Sequence, residues 1–262
     1  MTHDRHLLVL SGGHPYEAKP FAGLLASFGG WTVTHLIHPE AETAVAQGAA
    51  SEADVILFYD MPGYDFGGGT VTSRPPSLAY RVAITDHFER GGGAVAMHHA
   101  IAGWAEWPEW ADMLGGRFLY QPGTADGEYH LDSGYRHDVR YDAVVLDPDH
   151  PLTAGLPPRF PLCDELYLAP VWGAATPLLR ADHTFVRDNF YSAAEAVAGR
   201  LFSNGGWDHR PESNLIAWEK PVGAGRLVYF QPGDGPAAYA DPNVRRFLAN
   251  ALAHVAPVPA SA

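Results

Sequence analysis

The chain of 262 residues holds one cysteine, Cys163. That excludes an intramolecular disulfide framework and any metal site built on paired thiolates. Basic residues are also few: 17 Lys and Arg stand against 30 Asp and Glu, a formal charge of −13. No nucleic-acid partner is expected, because phosphate backbones are held by clustered cations. No apolar run is long enough to cross a bilayer, and Met1–Arg5 enters a strand-like segment with no apolar leader. The expectation is a cytoplasmic protein without a membrane partner. HExxH, CxxC, Gly-Lys-Ser/Thr and GxGxxG patterns are all missing, so no nucleotide cofactor is expected.

What the chain has is apolar material in short, punctuated runs. It is 47% hydrophobic and 18% charged, enough for a sizeable core. His6–Leu10, Trp31–Ile37, Asp54–Tyr59 and Ala94–Met97 read as strands. Helix-spaced stripes run over Phe21, Leu24, Leu25 and Phe28, and over Leu78, Val82, Ile84 and Phe88. A further helix is expected near Trp104–Leu114, and Val244, Phe247, Leu248 and Leu252 stripe the last one. Later strands are expected at Tyr141–Leu146, Leu166–Ala169, Leu215–Trp218 and Arg226–Phe230, the last two as a hairpin. Strand and helix alternation means an α/β fold: a mostly parallel sheet with helices on both faces. One domain over 1–262 is expected, with insertions at about 60–75, 115–140 and 182–213. The last insertion is lid-like, with a short helix at Ala193–Val197.

In such sheets ligands sit where strands end, and here the ends are polar. His14 follows the first strand in Gly12-Gly13-His14, Asp60 the third, and His98-His99 the fourth; Asp234 follows the late strand. Imidazoles serve as metal ligands or general bases near pH 7. Strand alternation lets one of His98 and His99 face the cleft, and spacing does not say which. The catalytic candidates are therefore His14, His98, His99 and Asp234. Asp164-Glu165 is a carboxylate pair of the kind that divides acid and base roles. Glu128 and His130 share one side of an extended segment. Loop aromatics, among them Tyr16, Tyr64, Phe66, Trp104, Trp107, Trp110 and Tyr120, suit stacking on a sugar face. Tyr16, Asp60, Trp104, Glu128 and Glu165 are the candidate substrate contacts, and His14, His99 and His130 the candidate metal ligands. Glu17 is read as a helix cap and Cys163 as an inert core thiol without an activating base.

Taken in order, several motifs resemble the ThuA-like (trehalose utilisation) family, within the class I glutamine amidotransferase-like, flavodoxin-like folds. They are Ser11–His14, Gly91–Ala100, Leu114–Phe118, His150–Leu156, Asp164–Tyr167 and Gly225–Phe230. The resemblance implies a tight strand-to-helix turn near His98–Ala100. The amidotransferases carry a cysteine nucleophile at that turn and a histidine after a late strand. Here the positions hold His98-His99 and Gly233-Asp234, so glutamine hydrolysis by that dyad is excluded. ThuA-like proteins commonly have a histidine where this chain has Asp234. The resemblance further implies disaccharide catabolism through 3-keto sugars, alongside a nicotinamide-dependent dehydrogenase, with zinc or another divalent metal. Two expectations result. One is an enzyme that isomerises or cleaves a keto-sugar or keto-glycoside; the other is a non-catalytic sugar-binding or regulatory module.

Overall fold

The computed structural model describes residues 5–173 and 176–257. Met1–Asp4, read above as a start without a leader, lie outside the described residues. The first strand, β1 (Arg5–Gly12), buries Leu7 to Leu10 completely, as a run apolar on both faces must. Helix α1 (Ala18–Leu25) buries Phe21, Leu24 and Leu25; Glu17 stands at its N-cap but its side chain caps nothing. After the edge strand β2 (Trp31–Ile37) comes α2 (Glu40–Ala46), which the periodicity does not show. Its buried face is only Ala41 and Val45, too small to register as a stripe.

Strand β3 (Val55–Asp60) is wholly buried, and the insertion after it folds as a hairpin of β4 (Tyr64–Gly67) and β5 (Thr70–Ser73). Helix α3 (Leu78–Glu89) is capped by Ser77, whose Oγ accepts the Tyr80 N–H. Strand β6 (Gly93–Met97) then runs into a tight 3-10 turn, His98–Ala102. The helix expected from Trp104 starts later, as α4 (Pro108–Leu114), with proline at its first turn.

A small hairpin follows, β7 (Gly123–Ala125) with β8 (Glu128–His130). Next come the long strands β9 (Gly134–Val145) and β10 (Arg159–Leu168), then β11 (Thr176–Ala181). The 182–213 insertion is tied down by β12 (Tyr191–Ser192), which pairs with β9, and by α5 (Ala193–Val197). Ser192 Oγ and the Ala194 N–H both donate to buried Asp132. The chain closes with β13 (Leu215–Val222), β14 (Gly225–Phe230), α6 (Pro236–Ala240) and α7 (Pro242–Val255).

The main sheet runs in the order β10-β9-β11-β13-β14-β6-β3-β1-β2. From β14 to β2 neighbours are parallel; from β10 to β14 they are antiparallel. Apolar cores lie on its two faces, one holding Phe21, Tyr59 and α7, the other Tyr80, Trp110 and Trp218. The antiparallel half curls. Although β10 is the far edge strand, its Asp164 accepts the N–H groups of Gly233 (2.5 Å) and Asp234 (3.1 Å), just past β14. That closure brings an edge strand onto the carboxyl ends of the central ones.

Candidate functional site

The turn after β6 places His98 at φ +53, a left-handed conformation that non-glycine residues adopt only under constraint. The constraint is visible: the His98 carbonyl accepts the Tyr229 hydroxyl at 2.9 Å. Its Nδ1 donates to the Gln231 carbonyl at 2.8 Å, which leaves Nε2 pointing at three oxygens. Tyr167 Oη lies 2.8 Å away, Glu165 Oε2 3.2 Å and Asp234 Oδ1 3.4 Å. His98 is fully buried, and Asp234 is the exposed side of the cluster at 35%. Burial alone would push the imidazole down; hydrogen bonds to Asp234 and Glu165, with the charges of Glu165 and Asp164, overcome it and raise His98 to about 10. Asp234 moves the other way: burial raises it, but its bond to His98 and the charge there hold it below the usual carboxylate range. Asp164, buried behind them, is raised to about 6 chiefly by desolvation.

Glu165 reaches this cluster through a break in strand register. Pairing of β10 with β9 shifts between Asp164 and Leu166, and Asp138 opposite has φ +54. Such bulges re-aim side chains. Here the bulge lets Glu165 turn inward and brings His137 Nδ1 to 3.1 Å from Oε1. His137 was not foreseen, because nothing in a strand sequence announces a bulge.

Both histidines of the pair belong to the site, so the alternation argument, which allowed one, is corrected: the strand ends at Met97. His99 Nε2 donates to the Tyr59 carbonyl at 3.2 Å, and its buried Nδ1 has no partner. His14 stacks on His99 with ring centroids 4.6 Å apart. Its Nδ1 donates to the Pro15 carbonyl at 2.9 Å, leaving Nε2 with a free lone pair. Desolvation first, then the charge of His98, lowers His14 below the ordinary histidine value; His99 is lowered further by desolvation and both neighbouring histidines. Gly13 permits this approach: it has φ +80, and a Cβ there would lie 2.2 Å from the Met61 carbonyl oxygen.

The remaining candidates disperse. Tyr16 stays near, with its hydroxyl 2.9 Å from Ser11 Oγ and its ring edge-on to Tyr59. Asp60 is buried against His38 Nε2 at 2.8 Å. Trp104 is buried beside Tyr80 and His38, and Trp107 and Trp110 are likewise core, so these rings offer no sugar platform. Glu128 is exposed, 3.3 Å from Arg210. His130 belongs to the β7–β8 hairpin, engaged by the Ala125 carbonyl and Arg210, and does not join His14 and His99. Cys163 is not core; it is half-buried in an open hollow with Arg140, Asp142 and Asp182, with no histidine lining it.

A divalent cation suits His98, Glu165 and Asp234 better than the expected trio. Their ligand atoms lie within 4.8 Å of one another, and the Nδ1–H bond to Gln231 orients Nε2 as second-shell carbonyls do for metal-bound histidines. A cation bound there would have to displace the His98 Nε2 proton. A second group, His150, Glu219 and His254, is satisfied otherwise. His150 Nδ1 accepts the Leu152 N–H, so Nε2 carries the hydrogen, and the Arg226 guanidinium already sits 3.2 Å from Glu219.

A polar cluster at the carboxyl ends of a parallel core accords with the family comparison. The ThuA model, described as trehalose utilisation, matches residues 29–255. The chain belongs to the ThuA family. Solved ThuA-like proteins share its fold: one from Parabacteroides merdae is 16% identical with a TM-score of 0.63, covering 95% of this chain and 88% of its own. Another, from Bacteroides uniformis, is 19% identical with a TM-score of 0.59, covering 95% and 90%. A β-galactosidase from Bacillus circulans is similar over 96% of this chain but 30% of its own, at 8% identity and a TM-score of 0.51. No curated protein matches. The fold is thus the mixed, parallel-cored α/β sheet of the solved ThuA-like proteins.

Proposed function

We propose that this ThuA-family protein is a cytoplasmic enzyme acting on a keto-sugar or keto-glycoside, by isomerisation or glycosidic cleavage. One observation carries the reading: His14, His98, Glu165 and Asp234, from four separate segments, converge where the parallel strands end. Their environments push the two imidazoles in opposite directions: His14 is left neutral and able to act as a base, while His98 holds a proton only when no cation takes its Nε2. His14 Nε2 is the base for a proton on carbon beside a carbonyl. Asp234, at the opening, accepts sugar hydroxyls, with half-exposed His137 beside it. Zinc or a similar cation held by His98, Glu165 and Asp234 would supply polarisation of a sugar carbonyl or hydroxyl. A nicotinamide-dependent dehydrogenase is the partner that would form the keto group.

The test is turnover of a panel of keto-disaccharides by wild type, His14→Ala and His98→Ala, with elemental analysis of each. Loss of turnover in both variants, and of bound metal in His98→Ala, supports the reading; undiminished turnover of every accepted sugar overturns it. Asp234, where the family resemblance implies a histidine, favours a second reading, a sugar-binding module. Calorimetric binding without turnover in wild type would select that one.

A further inference from the structure

Arg117 lies in a motif, Leu114–Phe118, that the proposed chemistry leaves unused. It is half-buried, and among the described residues it pairs with no carboxylate. Its one side-chain bond runs from Nη2 to the Ala105 carbonyl. A guanidinium carries five N–H donors, so Nε and Nη1 remain unspent. Desolvation makes this charge costly, and such a charge is ordinarily paired. Arg117 lines a cavity of about 110 Å³ between the β4–β5 hairpin and the loop before β7. Tyr64 and Tyr120 form its walls, with Ser73, Gln121 and Thr124 around them. No carboxylate lines it. Glu106 stands outside, accepting the Ser73 hydroxyl at 2.8 Å, while Asp112 and Asp126 line a neighbouring cavity that Arg117 and Thr124 also border.

We propose that this cavity is an anion subsite for one phosphate group, with Arg117 as its anchor. A planar fork meets a phosphate through two parallel N–H bonds. The Thr124 hydroxyl and Gln121 amide add donors beyond what a carboxylate's two oxygens need. On a chain of charge −13, an anion needs a dedicated cation to be held at all. The subsite is distinct from the His98 cluster: Tyr120 packs on Phe118, Phe118 on Tyr167, and only Tyr167 reaches His98. It does not depend on the catalytic reading. The phosphate is either free or carried by a sugar.

Calorimetric titration of the full chain with inorganic phosphate, glucose 6-phosphate and glucose tests the assignment. Expected is saturable binding of the phosphorylated ligands, weakened at least about tenfold by Arg117→Gln. Thr124→Asp places a carboxylate at the cavity mouth without touching the Ala105 bond and weakens binding similarly, even where Arg117→Gln does not fold. Tighter binding of glucose 6-phosphate than of inorganic phosphate identifies a sugar phosphate as the ligand; equal binding identifies free phosphate. No saturation by either up to about 10 mM, or binding unchanged in Thr124→Asp and in any folded Arg117→Gln, overturns it.

Discussion

Glu165 joins two histidines of opposite exposure: Oε2 lies 3.2 Å from Nε2 of buried His98, and Oε1 lies 3.1 Å from Nδ1 of half-exposed His137. One carboxylate thus links the deepest group of the site to solvent. Glu165→Gln halves its capacity to accept and removes its charge. A zinc-competition titration is expected to show affinity lowered at least about tenfold, with turnover lost. His137→Asn, outside the closest donor group, is expected to keep its metal. Wild-type zinc affinity in Glu165→Gln would remove Glu165 from the centre.

Gly13 is the backbone hinge of His14. Gly13→Ala must leave φ +80 or drive its Cβ into Met61, since that contact is backbone and does not yield. A loss of about 2–4 kcal/mol in denaturant midpoint experiments is expected, together with reduced turnover. A variant as stable as wild type would mean that the loop relaxes freely.

Asp60 separates a structural carboxylate from a functional one. Asp60→Ala strands His38, whose Nδ1 is already without a partner, in a buried environment. Stability is expected to fall by about 2–4 kcal/mol while metal content stays at the wild-type level. Metal loss at full stability would reverse that assignment.

Acid sensitivity should come partly from His87. Burial lowers its pKa below 6.5, and Nε2 donates to the Gly93 carbonyl at 3.0 Å. The unfolded chain therefore binds the proton more readily than the folded one. The stability this group contributes is present above pH 6.5 and is lost as pH falls through the lower folded value. Melting temperature should decline over that interval, and His87→Gln, which cannot titrate, should decline less. Equal slopes would exclude His87 as a contributor.

Much of this molecule was legible before any coordinates. Fully apolar runs such as Leu7–Leu10 and Val55–Tyr59 have no polar face to offer water, so they had to be central parallel strands. Stripes such as Val244–Leu252 had to be helices. Polar residues at the ends of those strands were then bound to meet, as His14, His98 and His99 do.

Long-range closure decided the rest. The edge strand carrying Glu165 reaches His98 because the antiparallel half of the sheet curls, and a bulge aims its side chain. Asp60 went inward because His38 pairs with it there, and Trp104 because its ring packs on His38 and Tyr80. Local periodicity reports which face of an element is apolar; it carries no record of which distant element will cover it.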